Sequence, residues 1–253
     1  MATDTTEKNS ARPAIILVIV MIVIAAFAIL RGLQTVAWLE ARMWARANPW
    51  IREVPQPLTS LRITVGKATQ IKVFNYEFAS PWGEANVSPG DNYAQLRFKP
   101  GQVIVFYDPE AQLDTITTLR TSTSPQYQNF ARVAGDIGTN YALYQAVYAA
   151  SPAQVSPFLT ANDSLRMHLL LLLKLAFGFD EKPPLYSFTQ GSERGFQFGD
   201  PASGRPVALR VFDGRDHQFR FIFVVESGSS AKITQSDIDG IVQSLQPVPL
   251  NER

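Results

Sequence analysis

The chain has 253 residues, 46% of them hydrophobic and 18% charged, with a formal net charge of +1. That is enough for one or two domains with a sizeable core. Beyond residue 53, 17 Lys and Arg face 18 Asp and Glu with no basic tract, which argues against nucleic acid as a partner. The absence of cysteine excludes disulfides, thiolate catalysis and cysteine-ligated zinc or iron–sulfur.

After an N-terminal tail (1–12), Pro13 to Leu30 reads PAIILVIVMIVIAAFAIL, without a charge. At helical rise such a run covers roughly 27 Å, close to the hydrocarbon thickness of a bilayer. Arg12 and Arg31 bracket it, and Trp38, Trp44 and Trp50 follow; both residue types favour the membrane interface. The run predicts a transmembrane helix over 13–33 and a single-pass membrane protein, with the lipid bilayer as a partner. A cleaved signal peptide is the rival, because Ala26-Phe27-Ala28 offers a small-residue site. The flanking basic residues conflict over orientation, and an exported main domain is the expected arrangement.

Residues 34–60 read as a helical stalk and linker. Asn48-Pro49 should stop the helix, since a residue before proline avoids the α region. The main domain is expected over 61–247, with a C-terminal tail at 248–253. LRITV and TQIKVFNYEF predict a hairpin around Gly66-Lys67. AQLRF and QVIVFY predict a second around Lys99-Pro100-Gly101. A helical block is expected over 109–178. Within it, Asp108, Ser124, Ser151 and Ser156 each precede a proline, a helix-starting device. SLRMHLLLLLKLAF (164–177) reads as a buried core helix interrupted by Lys174.

Strands return at PLYSFTQ and GFQFGD around 191–194, and at RPVALRVFD and HQFRFIFVVES around Asp213-Gly214. ITQSDIDGIVQSLQP closes the chain as an amphipathic helix, with Thr234 and Asp237 at capping-box spacing. VIVFY (103–107) and FIFVV (221–225) are apolar at consecutive positions, so both sheet faces must be covered. The side-chain phase flips at Val73/Phe74, which reads as double-sided burial of one strand or as a bulge, with double-sided burial expected. The fold class expected is α+β: a transmembrane helix, then an α/β/α sandwich with a mainly antiparallel sheet.

YEFASPWGE near the start of the domain and DIDGIVQSLQP at its end resemble the PsbP-like fold. Proteins of that fold similarly run an early strand into a Pro/Trp turn and finish on a helix. The resemblance spans residues 61–247. It implies a non-enzymatic accessory or partner-binding protein at or near membranes, and it identifies no site residue.

The chemistry-bearing residues are few. His217 lies beside Asp213 and Asp216, but in a hairpin turn where Asp is expected for its backbone bonding. No second half of a metal motif accompanies them, so no metal ligand and no cofactor are assigned. His168 reads as a hydrogen-bonded histidine at the core or its edge. No G-x-S-x-G elbow places a catalytic serine, and no catalytic residue is assigned. The glycines at 191, 195, 199 and 204 read as hairpin-turn residues. Tyr141, Tyr144 and Tyr148 share one helical stripe, read as core packing or as an aromatic binding surface. Trp82 reads as a lid on the core or as a binding anchor. These four are the binding residues expected from sequence. The function expected is a membrane-anchored, non-catalytic domain that binds an unidentified protein partner or helps an envelope complex assemble. The alternatives are a small-molecule or lipid-binding module and, below it, a hydrolase.

Overall fold

The structure is a computed structural model that describes residues 31–58, 68–111, 137–177 and 184–248, with a few isolated positions besides. Helix α1 (Gly32–Ala47) leads through a 3-10 turn (Pro49–Arg52) to the two-residue strand β1 (Gln56–Pro57). Strands β2 (Thr69–Val73) and β3 (Tyr76–Ser80) follow, then β4 (Ala85–Pro89), β5 (Tyr93–Phe98) and β6 (Gln102–Tyr107). Next come α2 (Asn140–Ala149), a 3-10 turn (Pro152–Gln154) and α3 (Ala161–Phe177). The chain closes with β7 (Leu185–Gln190), β8 (Glu193–Phe198), β9 (Val207–Phe212), β10 (Gln218–Val225), α4 (Gln235–Gln243) and β11 (Gln246–Pro247).

The main sheet has eight strands in the order β1-β7-β8-β9-β10-β6-β5-β4. Every pairing in it is antiparallel except β1 with β7. Its two edges are modest: β1 is two residues long and contains Pro57, and β4 is largely exposed and ends at Pro89. One face carries Leu96, Ile104, Phe106, Leu209, Phe221 and Phe223, covered by α4 and by a small sheet of order β11-β3-β2. Fully burying each such phenylalanine contributes roughly 1.5–3 kcal/mol. The other face carries Phe196, Phe198 and Phe212 beneath α2, with residues of α1 and α3 in the same cluster. Cover on both faces is seen at β8 and β9, while the second face of β6 and β10 is only half-buried among the described residues, and the layers differ from the α/β/α sandwich expected. One cover is helical; the other combines a single helix with a three-stranded sheet.

The expectation of a single-pass membrane protein is corrected. Among the described residues no helix is long and apolar enough to cross a membrane. Of the run 13–30, only Val20, Met21, Ile24 and Ala25 are described. Helix α1 begins at Gly32, carries Gln34, Glu40, Arg42 and Arg46, and buries Ala37, Ala41 and Ala45. Its N-terminal end is tied to the domain by Arg31, whose Nη1 donates to the Leu159 carbonyl at 3.1 Å. The stretch read as a stalk therefore docks onto α3, and the stretch read as a linker supplies strand β1.

The phase flip at Val73/Phe74 is neither a bulge nor double-sided burial. It is a two-residue turn between β2 and β3, with Phe74 at φ 54 and Val73 paired to Tyr76. TQIKVFNYEF is a hairpin by itself. LRITV and Gly66-Lys67 lie outside the described residues, as do Ser124-Pro125 as a pair and residues 249–253. Gly191 turns between β7 and β8 at φ 63. Gly195, read as a turn residue, sits inside β8 opposite Val211. Thr234 and Asp237 form the capping box of α4.

Candidate functional site

The structure separates the four binding residues expected from sequence. Trp82 follows β3 and packs edge-on against Phe98 with ring centroids 5.2 Å apart, on the α4 side of the sheet. The three tyrosines of α2 lie on the opposite face. Tyr148 is fully buried, and Tyr144 is 3% exposed. Tyr148 meets Phe196 and Phe198, while Tyr144 meets Phe212 and Phe177. Arg210 donates to the Tyr144 hydroxyl at 3.0 Å and stacks over its ring, and Arg194 lies 4.1 Å above the half-buried Tyr141 ring. Tyr144 and Tyr148 are thus packed in the core, with the Tyr144 hydroxyl hydrogen-bonded, while Tyr141 is half-buried beneath Arg194.

The acidic turn after β9 is structural as well. Asp213 Oδ1 accepts from the backbone N–H groups of Arg215 and His217, and its Oδ2 meets His217 Nδ1 at 2.9 Å. Asp216, at φ 67, turns its carboxylate onto the start of α2 and accepts from the Asn140 and Tyr141 N–H groups. It joins Thr139, whose hydroxyl accepts from Ala142, in satisfying donors that an isolated helix leaves orphaned. Among the described residues no cluster of potential metal ligands forms. Replacing Asp216 with Ala removes both bonds, and with them a carboxylate at the positive end of the helix dipole. The substitution also places a Cβ-bearing residue without side-chain compensation at positive φ. Chemical denaturation should show a loss of about 2 kcal/mol.

Lys174 is the residue whose role the sequence conceals. It is 0% exposed. Its ammonium donates to the carbonyls of Glu53, Tyr148 and Ala150 at 2.5, 2.8 and 2.7 Å. The latter two carbonyls sit at the C-terminal end of α2, where the helix dipole is negative and no intrahelical donor remains. Burial pulls the Lys174 pKa down to about 8, while the charge of Glu53 opposes the shift.

Among the described residues, α1 and α3 carry several exposed large apolar side chains. Glu40 Oε2 of α1 lies 3.5 Å from His168 Nδ1 of α3, and the Trp44 ring lies 4.9 Å from the imidazole. Burial lowers the His168 pKa, opposed by the charge of Glu40. Ser164 stands one turn before His168, but its buried hydroxyl has no hydrogen-bond partner among the described residues. Ser164, His168 and Glu40 therefore do not form a nucleophile relay, which requires serine and imidazole in hydrogen-bond reach. On α1, Leu33, Val36 and Met43 stand seven and four residues before Glu40 and three after it, so they share its flank. On α3, Leu165 and Leu172 stand three before and four after His168. Contacts of Arg31 with Leu159 and of Glu40 with His168 run α1 alongside α3 in the same direction. Leu33 is 81% exposed, Met43 58%, Val36 52% and Leu172 40%. Phe158, just before α3, is 76% exposed.

In the sequence these residues are divided among three expected elements: Leu33 ends the transmembrane helix, Val36 and Met43 lie in the stalk, and Leu165 and Leu172 lie in the core helix. Their burial partners depend on where α1 docks, which local pattern does not encode. No family model, curated protein or solved structure matches the chain, so the comparisons neither support nor remove the resemblance to the PsbP-like fold.

Proposed function

We propose that the chain is a non-catalytic binding domain whose α1–α3 surface seats an amphipathic helix of a partner protein. The observation that supports this is the exposed apolar double row of Leu33, Val36 and Met43 beside Leu172. Contiguous exposed apolar surface of this kind marks an interaction site, and a pair of helices offering a shallow seam suits a helix laid along it. Arg42 and Arg46 are exposed on the same helix, and Arg42 is stacked on Trp38 at 4.8 Å. They favour acidic residues flanking the partner's apolar stripe.

A photoreactive side chain at Met43, activated in intact cells, tests the reading. The expected result is one discrete adduct whose mapped segment is an apolar-striped helix with acidic flanks. Val36→Asp, at an exposed position, should reduce that adduct at least about tenfold by placing a charge against the partner's apolar stripe. Adducts only with a second copy of this chain or with lipid would overturn it, as would an adduct indifferent to Val36→Asp.

A further inference from the structure

The apolar row of α1 is broken by one charge. Glu40 stands four residues after Val36 and three before Met43, on the flank that carries both. Leu39, beside it in the chain, is 49% exposed. At a helix rim a carboxylate stays hydrated; inside a row that a partner covers it does not. The Glu40 side chain is 37% exposed. A helix laid over Val36 and Met43 takes that water away.

The groups around Glu40 replace little of it. His168 approaches from α3 with Nδ1 3.5 Å from Oε2, and this nitrogen makes no hydrogen bond. The contact engages one oxygen, whereas an ionised carboxylate accepts about four hydrogen bonds through two. Arg42 and Arg46 stand two and six residues further along α1, off the flank that Glu40 occupies. Arg42 is stacked over the Trp38 ring instead. Covering a carboxylate without a counter-charge is unfavourable enough to cancel much of what the apolar row contributes. The surface therefore disfavours a partner stripe that is apolar throughout and suits one with a cation at its middle.

We infer that the partner helix carries a lysine or arginine inside its apolar stripe, and that this residue pairs with Glu40 when the helix is seated on α1 and α3. The inference rests on the reading of that surface as a helix-docking site and adds what the surface selects: a basic centre between acidic flanks. Helices that are apolar alone are rejected, because they leave the carboxylate buried and unpaired.

The photoreactive side chain at Met43, activated in intact cells carrying Glu40 variants, tests it. The mapped segment should hold a lysine or arginine at helical spacing within its apolar stripe. Glu40→Leu decides by the sign of its effect. Where a cation faces Glu40, leucine strands that cation and the adduct falls at least about tenfold. Where none does, leucine extends the apolar row and the adduct rises. Glu40→Lys should abolish the adduct, and so should glutamate in place of the mapped basic residue. The two changes together should restore it, which loss of fold cannot do. An adduct that holds or rises with Glu40→Leu overturns the inference and leaves the helix-docking reading standing, as does a mapped stripe without a basic residue. Absence of any helical adduct overturns both.

Discussion

Replacing Lys174 with Met should lower the unfolding free energy by about 3 kcal/mol, read from the denaturant midpoint. Methionine keeps the length and the apolar packing of the stem. It leaves three buried carbonyls, those of Glu53, Tyr148 and Ala150, without their donor. Each stranded acceptor costs about 1–3 kcal/mol, and part of the sum is returned because an ammonium no longer has to be desolvated. The pH dependence supplies a second readout. The folded-state pKa of about 8 lies below the ordinary value of 10.5. Between those two values the unfolded chain holds more protons than the folded one. Wild-type stability should therefore rise from pH 8 towards pH 10.5, by roughly 3 kcal/mol at most. Lys174→Met should lack that rise, so the difference between the two curves isolates this one amine from other groups that titrate there.

Gly195→Ala should cost about 3 kcal/mol, although it adds a single methyl group. Gly195 faces Val211 in the pairing of β8 with β9. A Cβ at this position overlaps the carbonyl oxygen of Arg210 and stands 2.8 Å from the Phe188 ring. The ring can turn, but the carbonyl belongs to the neighbouring strand. Relief requires the two strands to part near the row that holds Arg210 against Tyr144. Thermal unfolding should fall by about 6–12 °C, at 2–4 °C per kcal/mol for a domain of this size. Gly204→Ala provides the contrast in space, since nothing lies within 4 Å of a Cβ there. Its penalty is confined to the left-handed backbone, about 1 kcal/mol.

These two positions also show what could be read without coordinates. The consecutive apolar residues of VIVFY and FIFVV predict cover on both faces; among the described residues one face, with Ile104, Phe106, Phe221 and Phe223, is buried, while Val105, Tyr107, Ile222 and Val224 on the other are only half-buried. The capping box at Thr234 and Asp237 was legible because its interactions span three residues. Phe74 was not legible, because phenylalanine at positive φ is held by pairings on either side of the turn and carries no turn-forming signature. Gly195 was misread because glycine serves both turns and close strand approach, and only the partner strand distinguishes them. Lys174 looked like an interruption of an apolar helix. Its acceptors come from residues 53, 148 and 150, and no window around 174 contains them all. The tyrosine stripe posed the opposite difficulty. Its helical spacing was plain, but spacing does not say which face meets the sheet.

The two borders of the large sheet have a consequence for how copies of the molecule can meet. Strands of separate molecules join edge to edge into extended ladders only where a border offers a run of unused N–H and C=O groups. Here β1 offers two residues, one of them Pro57, and β4 finishes at Pro89. Proline contributes no N–H to such a ladder. Growth of the sheet from molecule to molecule is thereby discouraged at both borders, and fibrous stacking through backbone pairing finds no long template among these strands.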